Sequence, residues 1–511
     1  MRDIALSLII SWMLLVSLKR PEIGAYLWAW LSLMNPHRMT YGFAHDLPWA
    51  MIAALFGLMG ALFSRHKSMP RSAGVWLLAL LWAWMSLTSL TSINPGDAVL
   101  ERWIFVSKIM LMFFVALLVV QGRSQIEVLV AVVAVSLAFF GVKGGIFTVA
   151  TGGSYRVWGP PDSMMEENNA LAVSLIIVLP FVYYFWSVTT RRWLRLALPW
   201  AMLFMGASIL GSQSRGALVG VLAMSIFLGL KSKHPVRFSL VLGALLVLLI
   251  AFMPDSWSER MSTISNHQED ASATQRFYAW ISMWNVAVDR PLVGAGFRAD
   301  NLALYAVYGP TDPKYEVAFG TPWVAHSIYF QALGEHGFVG LGLFLLIWAW
   351  VWRAAGRTAR EAATVPELAD WVPVLMRMCQ VSTIGFLVGG AFLSLMNLDL
   401  PYYIVIFVIL CQREVQRARG PATRAVNASA IAGAGAGPAM AAGRPSRVAG
   451  AASSSVPAAN PQPTAVSTPV PNPVSMARPG APRRARPAAP GATAPHDGAR
   501  PAPANRPPTR R

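Results

Sequence analysis

From Ile4 to Gln412 this chain repeats apolar runs long enough to cross a lipid bilayer, and that repetition leaves it few folds to adopt. A spanning helix needs about 20 apolar residues, because hydrocarbon offers a backbone no hydrogen-bond partner outside its own helix. Candidate spans are Ile4–Leu18, Glu22–Met34, Pro48–Ser64, Ala73–Ser92, Trp103–Gln121, Ile126–Ala150, Asn169–Val188, Leu194–Ser212, Gly216–Leu230, Phe238–Met253, Gly337–Trp352, Trp371–Leu395 and Pro401–Gln412. The first resembles a signal h-region but lacks a small-residue cleavage site, so it reads as a retained helix. The expectation is an all-α polytopic membrane protein with about 12–13 transmembrane helices. Composition agrees: only 13% of the 511 residues are charged, about half the share of a soluble protein.

Charge is unevenly placed. Eleven arginines and one aspartate follow Pro421, which is more than half of the net +18. The high overall basicity therefore belongs to the tail and is no sign of a nucleic-acid partner. The tail, 420–511, is built from Pro, Ala, Gly and Ser and cannot bury enough apolar surface to offset ordering entropy, so it reads as disordered. Within the membrane part, basic segments (Lys19-Arg20, Ser64–Arg71, Arg191–Arg195, Lys231–Arg237, Arg353–Arg360) alternate with connections poorer in Lys and Arg. The positive-inside rule puts the basic set and the C-terminus in the cytoplasm and the long Asp255–Ala325 loop outside. Four regions follow: an N-terminal membrane domain over 1–190, a core over 191–355 containing the 255–325 loop, C-terminal helices over 356–419, and the tail.

The large loop has internal order. Ser272 or Thr274 is placed to cap a helix running to about Asp289, with Phe277, Trp280, Ile281, Trp284 and Val288 at three- and four-residue steps. Such a Trp-rich amphipathic helix suits the outer headgroup layer and contact with membrane lipids. The segment Pro291–Gly296 then reads as a turn.

Ionisable residues at membrane depth are costly and therefore informative. Arg215 sits in the tight turn Gly211-Ser-Gln-Ser-Arg-Gly216, where Ser212, Ser214 and the next helix N-terminus offer donors beside a guanidinium, a set that suits phosphate. The bland alternative is an arginine snorkelling to the interface. His326 lies where the outer loop re-enters the membrane, and an imidazole there can accept a proton from an attacking hydroxyl, although a lone histidine is more often a structural hydrogen-bonder. Glu335 falls half a turn off the His326 face of an unbroken helix and is not paired with it, and His336 is a weaker candidate. Arg276, one turn before Trp280, can supply a second anion contact or meet a lipid headgroup. Arg156 and Arg298 are lesser members of the set, and Asn168 and Asn169 enter a helix that they are placed to cap. No HExxH, outer-loop Asp-x-Asp, Walker A or GxSxG pattern occurs, so the chemistry offers no metal ligand set or cofactor motif and phosphate charge would fall to arginine.

In order along the chain, Ser212–Gly216, Arg276…Trp280…Pro291–Gly296, His326-Ser-x-Tyr-x-Gln and Glu335-x-Gly337 resemble the O-antigen ligase and polymerase superfamily over roughly Leu194–Trp352. The Asn35–Met39 segment and the Val157-Trp-Gly-Pro-Pro…Asn169-x-Leu-Ala172 stretch resemble the O-glycosylation ligases associated with exosortase A systems. The resemblance implies a metal-independent, inverting glycosyltransferase of the bacterial inner membrane. It would move a glycan from undecaprenyl pyrophosphate to an acceptor hydroxyl, on protein or lipid A core, at the periplasmic face. The family's two key arginines and its histidine fall on Arg215, Arg276 and His326, with Ser212, Ser214, Arg156, Arg298 and Asn169 as binding candidates. A repeat-unit polymerase shares these residues. A transporter would instead collect its ionisable groups near the bilayer midplane, and a structural subunit would use the tail as a docking arm.

Overall fold

The computed structural model describes residues 1–231 and 271–435, with a few isolated positions between 240 and 255. Fourteen α-helices and no strand occur among the described residues. In chain order they are α1 (Arg2–Lys19), α2 (Pro21–Met34), α3 (Trp49–Phe63), α4 (Ala73–Leu90), α5 (Gly96–Val119), α6 (Gly122–Ala150) and α7 (Asn168–Val188). There follow α8 (Arg192–Gly211), α9 (Arg215–Lys231), α10 (Ala271–Asp289), α11 (Leu302–Tyr308), α12 (Ile328–Ala362), α13 (Val372–Gly389) and α14 (Asp399–Gly435). Seven of these are long and apolar enough to cross a membrane by length and composition: α4 to α8, α12 and α13 with its 3₁₀ extension to Phe392. α3 and α9 are shorter apolar helices. Every expected span outside Phe238–Met253 lies on one of these helices; most of that span lies outside the described residues. The chain is thus an all-α polytopic membrane protein.

Met1–Gly437 cluster as one compact unit, and the second, Pro438–Arg511, lies outside the described residues. Helices α7 and α13 are the most thoroughly buried spans, packed against each other at the centre. α6 lies so close to α8 that a Cβ on Gly145 would collide with the Phe204 carbonyl, the close approach that small residues permit between membrane helices. At the other edge the buried Arg413 of α14 donates to the Leu117 and Val120 carbonyls, supplying donors to the open C-terminal end of α5.

Two features depart from the sequence expectation. α14 runs on past Gly420 to Gly435, where composition predicts the tail to begin; the chain there is rich in alanine, the strongest helix former. The remainder of the expected disordered tail lies outside the described residues. α12 is not continuous: Gly337 has φ 68° and ψ −173°, so the helix is broken there. The break frees carbonyls that the Pro291–Gly296 turn recovers. Ala295 and Gly296 donate their amides to Gly334 and Glu335, each at 2.8 Å, and Phe338 donates to the Pro291 carbonyl at 2.8 Å. The Trp84 indole takes the His336 carbonyl at 3.0 Å. The turn is in turn held by Asn94, whose amide donates to the carbonyls of Ala295, Gly296 and Phe297.

Candidate active site

The turn between α8 and α9 is built from the outside as well as from its own residues. Gln213 has φ 55°, and its amide donates to the Gly153 carbonyl at 3.3 Å. Asn168 donates to the Ser212 carbonyl at 2.6 Å, and the Val157 amide to Gly211 at 3.1 Å. The fully buried Ser212 hydroxyl donates back to Ile209, while the Ser214 hydroxyl accepts from the Ala217 amide and caps α9. Both hydroxyls are therefore engaged within the turn. Arg215 begins α9 and is half-buried, so its guanidinium stands at a helix N-terminus, where backbone N–H groups and the macrodipole both favour an anion. The exposed Arg156 reaches the same turn, donating to Gln213 at 3.4 Å.

His326 lies just before α12, with φ 46°, and its amide donates to the Ser394 hydroxyl at 2.8 Å. Ser327 is the N-cap. The imidazole is half-buried and is held below the usual histidine range, first by burial and then by the Arg276 cation, with Glu167 pulling the other way. Arg276 and Glu167 thus both act on His326, although they are far from it in sequence. The α10 helix is pinned there by Trp280, whose indole donates to the Ala325 carbonyl at 2.9 Å and whose ring stacks on Phe330 at 5.1 Å. The short segment 390–397 ties the pieces together. Phe392 packs against Gly216, next to Arg215; Ser394 holds the His326 backbone; Met396 donates to Gln331 and Asn397 to Glu335.

Other expectations are revised. α10 begins at Ala271, ahead of both Ser272 and Thr274, so neither is its N-cap. Phe277, Trp284 and Val288 are exposed as an outward apolar stripe, but Tyr278, Ala279, Met283 and Val286 form a second, buried face, so the helix is docked on protein rather than peripheral on both sides. Asn168 and Asn169 follow the N-cap, Glu167, instead of being it; Asn169 donates to the Glu167 carboxylate at 2.8 Å. Arg298, with φ 63°, follows the Pro291–Gly296 turn and pairs with Asp300 at 3.5 Å. His326 precedes the helix that carries Glu335, whose carboxylate accepts from Gln331 and Asn397 at 3.4 and 3.5 Å. His336 is fully buried, bonded to the Thr88 hydroxyl at 2.7 Å and edge-on to Phe297, a structural strut.

Residues 200–345 match the O-antigen ligase family. That segment contains Arg215, Arg276, His326 and the Gly337 break, and supports a membrane enzyme of glycan ligase or polymerase type within the O-antigen ligase superfamily. Residues 1–190 match a family of unknown function (DUF5935). No curated protein matches the chain. The N-terminal match has a physical link to the site. Asn35 donates to the Pro161 carbonyl and Arg38 pairs with Asp162, so the two N-terminal motif segments meet; the loop they form then leads to Asn168, which bonds the Ser212 carbonyl of the Arg215 turn. Glu167 and Ser394 escaped the sequence reading: the first is one of several loop carboxylates, and the second lies in an apolar connection without a motif.

Proposed function

We propose that the protein transfers a glycan from undecaprenyl pyrophosphate to an acceptor hydroxyl, by inversion and without a metal, at the periplasmic face of the bacterial inner membrane, with its C-terminus in the cytoplasm. Arg215 and Arg276 hold the donor pyrophosphate and stabilise the charge that grows as it leaves. Arg156 and Arg298 extend the anion contacts, with Asn169 at the entry to α7; Ser212 and Ser214 keep the turn rigid. The acceptor oxygen attacks the anomeric carbon, the bond to the pyrophosphate oxygen breaks, and the acceptor proton passes to the neutral His326 imidazole. The observation that carries this reading is that α10, which bears Arg276, is bonded through Trp280 to Ala325 beside His326, while the Arg215 turn and the His326 backbone are braced on the same 390–394 segment. The acceptor is a protein, as in the exosortase-linked ligases the N-terminal region resembles, or lipid A core.

Arg215→Ala and Arg276→Ala each remove a preformed contact to developing charge, worth about 10²–10³ in rate. Both variants are expected to insert and accumulate normally while transfer from lipid-linked glycan to acceptor collapses; normal transfer in both sinks the assignment. A repeat-unit polymerase uses the same residues, and the length distribution of the product separates it from a ligase.

A further inference from the structure

Far from His326, at the other end of α12, the structure holds an open groove of about 860 Å³ between α4, α12 and α13. Its lining changes character along α12. Leu346 and Trp350 face Trp76 and Leu80 of α4, and the next turns bring Arg353, Arg357 and Arg360. Those arginines stand at i, i+4 and i+7 and so share one helix face. From Leu346 to Arg360 the apolar-to-cationic gradient spans roughly 20 Å at 1.5 Å per residue. All three arginines are exposed. Arg357 has Glu361 at 4.0 Å, whereas Arg353 and Arg360 have no carboxylate partner among the described residues. The tryptophans are the side chains that favour the membrane–water interface.

We propose that this groove binds an anionic phospholipid, with acyl chain against the Trp76, Leu80 and Trp350 wall and phosphate on Arg353 and Arg360. Three observations select that occupant. A neutral lipid would leave the arginine stripe uncompensated; a soluble anion would leave the apolar wall without a function; and the α12 gradient matches the order of tail and headgroup in one lipid molecule. Arginines that only set topology need no groove and no common face, because that rule counts charge in a loop rather than position. The site is independent of the glycan-transfer reading, since it shares no residue with it.

The test is native mass spectrometry of the full chain in detergent, with phosphatidylglycerol or phosphatidylcholine added. Phosphatidylglycerol is expected to stay bound through delipidating activation and phosphatidylcholine to be lost. With about 1 kcal/mol per basic residue near an anionic lipid, Arg353→Gln/Arg360→Gln is expected to weaken retention on the order of 30-fold. Arg191→Gln/Arg195→Gln removes the same charge elsewhere and is expected to retain the lipid. Equal retention of both lipids by the wild type overturns the proposal, and so does equal loss in the two double variants. Stabilisation by inorganic phosphate alone, matching that by phosphatidylglycerol, also overturns it, because the acyl wall would then be idle. The wild-type lipid comparison decides the matter even where a variant fails to fold.

Discussion

Replacing Gly337 by alanine strikes the break on which α12 depends. At φ 68° and ψ −173° the backbone occupies a region essentially reserved for glycine, and an L side chain there costs about 1–3 kcal/mol. Space adds to strain: a Cβ would collide with the Leu292 carbonyl and lie 2.7 Å from the Pro291 oxygen. The turn must retreat, and with it go the Ala295 and Gly296 bonds to the α12 carbonyls, each worth about 1 kcal/mol net. The expected loss is about 4 kcal/mol, a large part of a typical 5–15 kcal/mol folding stability. Gly342, five residues further along the same helix, is the control, because a Cβ there meets nothing within 4 Å. Gly342→Ala is therefore expected to be neutral or stabilising by up to about 1 kcal/mol. Thermal unfolding in detergent, with membrane abundance alongside, measures both. If Gly337→Ala melts within a degree or two of wild type, the break is not the rigid junction described, and the coupling of the Pro291–Gly296 turn to α12 is wrong.

Other expectations are checked separately. Glu167→Gln removes the charge that raises the His326 pKa, leaving burial and Arg276 to lower it; protonation of the imidazole then needs a lower pH, so the acid limb of the transfer rate moves acidward. An alkaline displacement contradicts the electrostatic picture of the site. By linkage, a histidine held below its unfolded value makes folding less stable as pH falls through the interval below about 6.5, so His326→Gln is expected to resist acid unfolding, with its midpoint at lower pH than wild type. Arg413→Met strands the Leu117 and Val120 carbonyls in a buried setting and is expected to cost about 2–4 kcal/mol in a detergent melt, whereas an unchanged melt removes Arg413 from the fold's supports.

Much of this molecule is legible as sequence because bilayer length and apolar run length are the same constraint. The helices α1 to α9, α12 and α13 lie where the runs place them. Arg215, Arg276 and His326, the residues proposed to carry the chemistry, also stand out, since an ionisable group in such surroundings is conspicuous. What stays hidden is tertiary. The Gly337 break carries no periodicity signal, because a glycine sits equally in an intact membrane helix. The second face of α10 is invisible because Tyr278, Ala279 and Met283 are ordinary helix residues until α12 covers them. Ser394 reaches the His326 backbone, and the Glu167 charge acts on its imidazole, through folding of distant connections, which no local pattern encodes. The capping roles expected of Ser272 and Asn169 fail for a simpler reason: each helix starts at a slightly different residue from the one periodicity suggests.

His326 is proposed to work with Arg215 and Arg276 in glycan transfer. That role is tested most directly in a deletion strain complemented with wild type or His326→Ala, in which lipid-linked glycan, lipopolysaccharide and secreted glycoprotein are measured together. The variant is expected to accumulate at wild-type level in the membrane, with lipid-linked glycan building up and one acceptor losing its sugar. An unchanged glycan pool with every acceptor still decorated would contradict that role and bring the transporter reading forward.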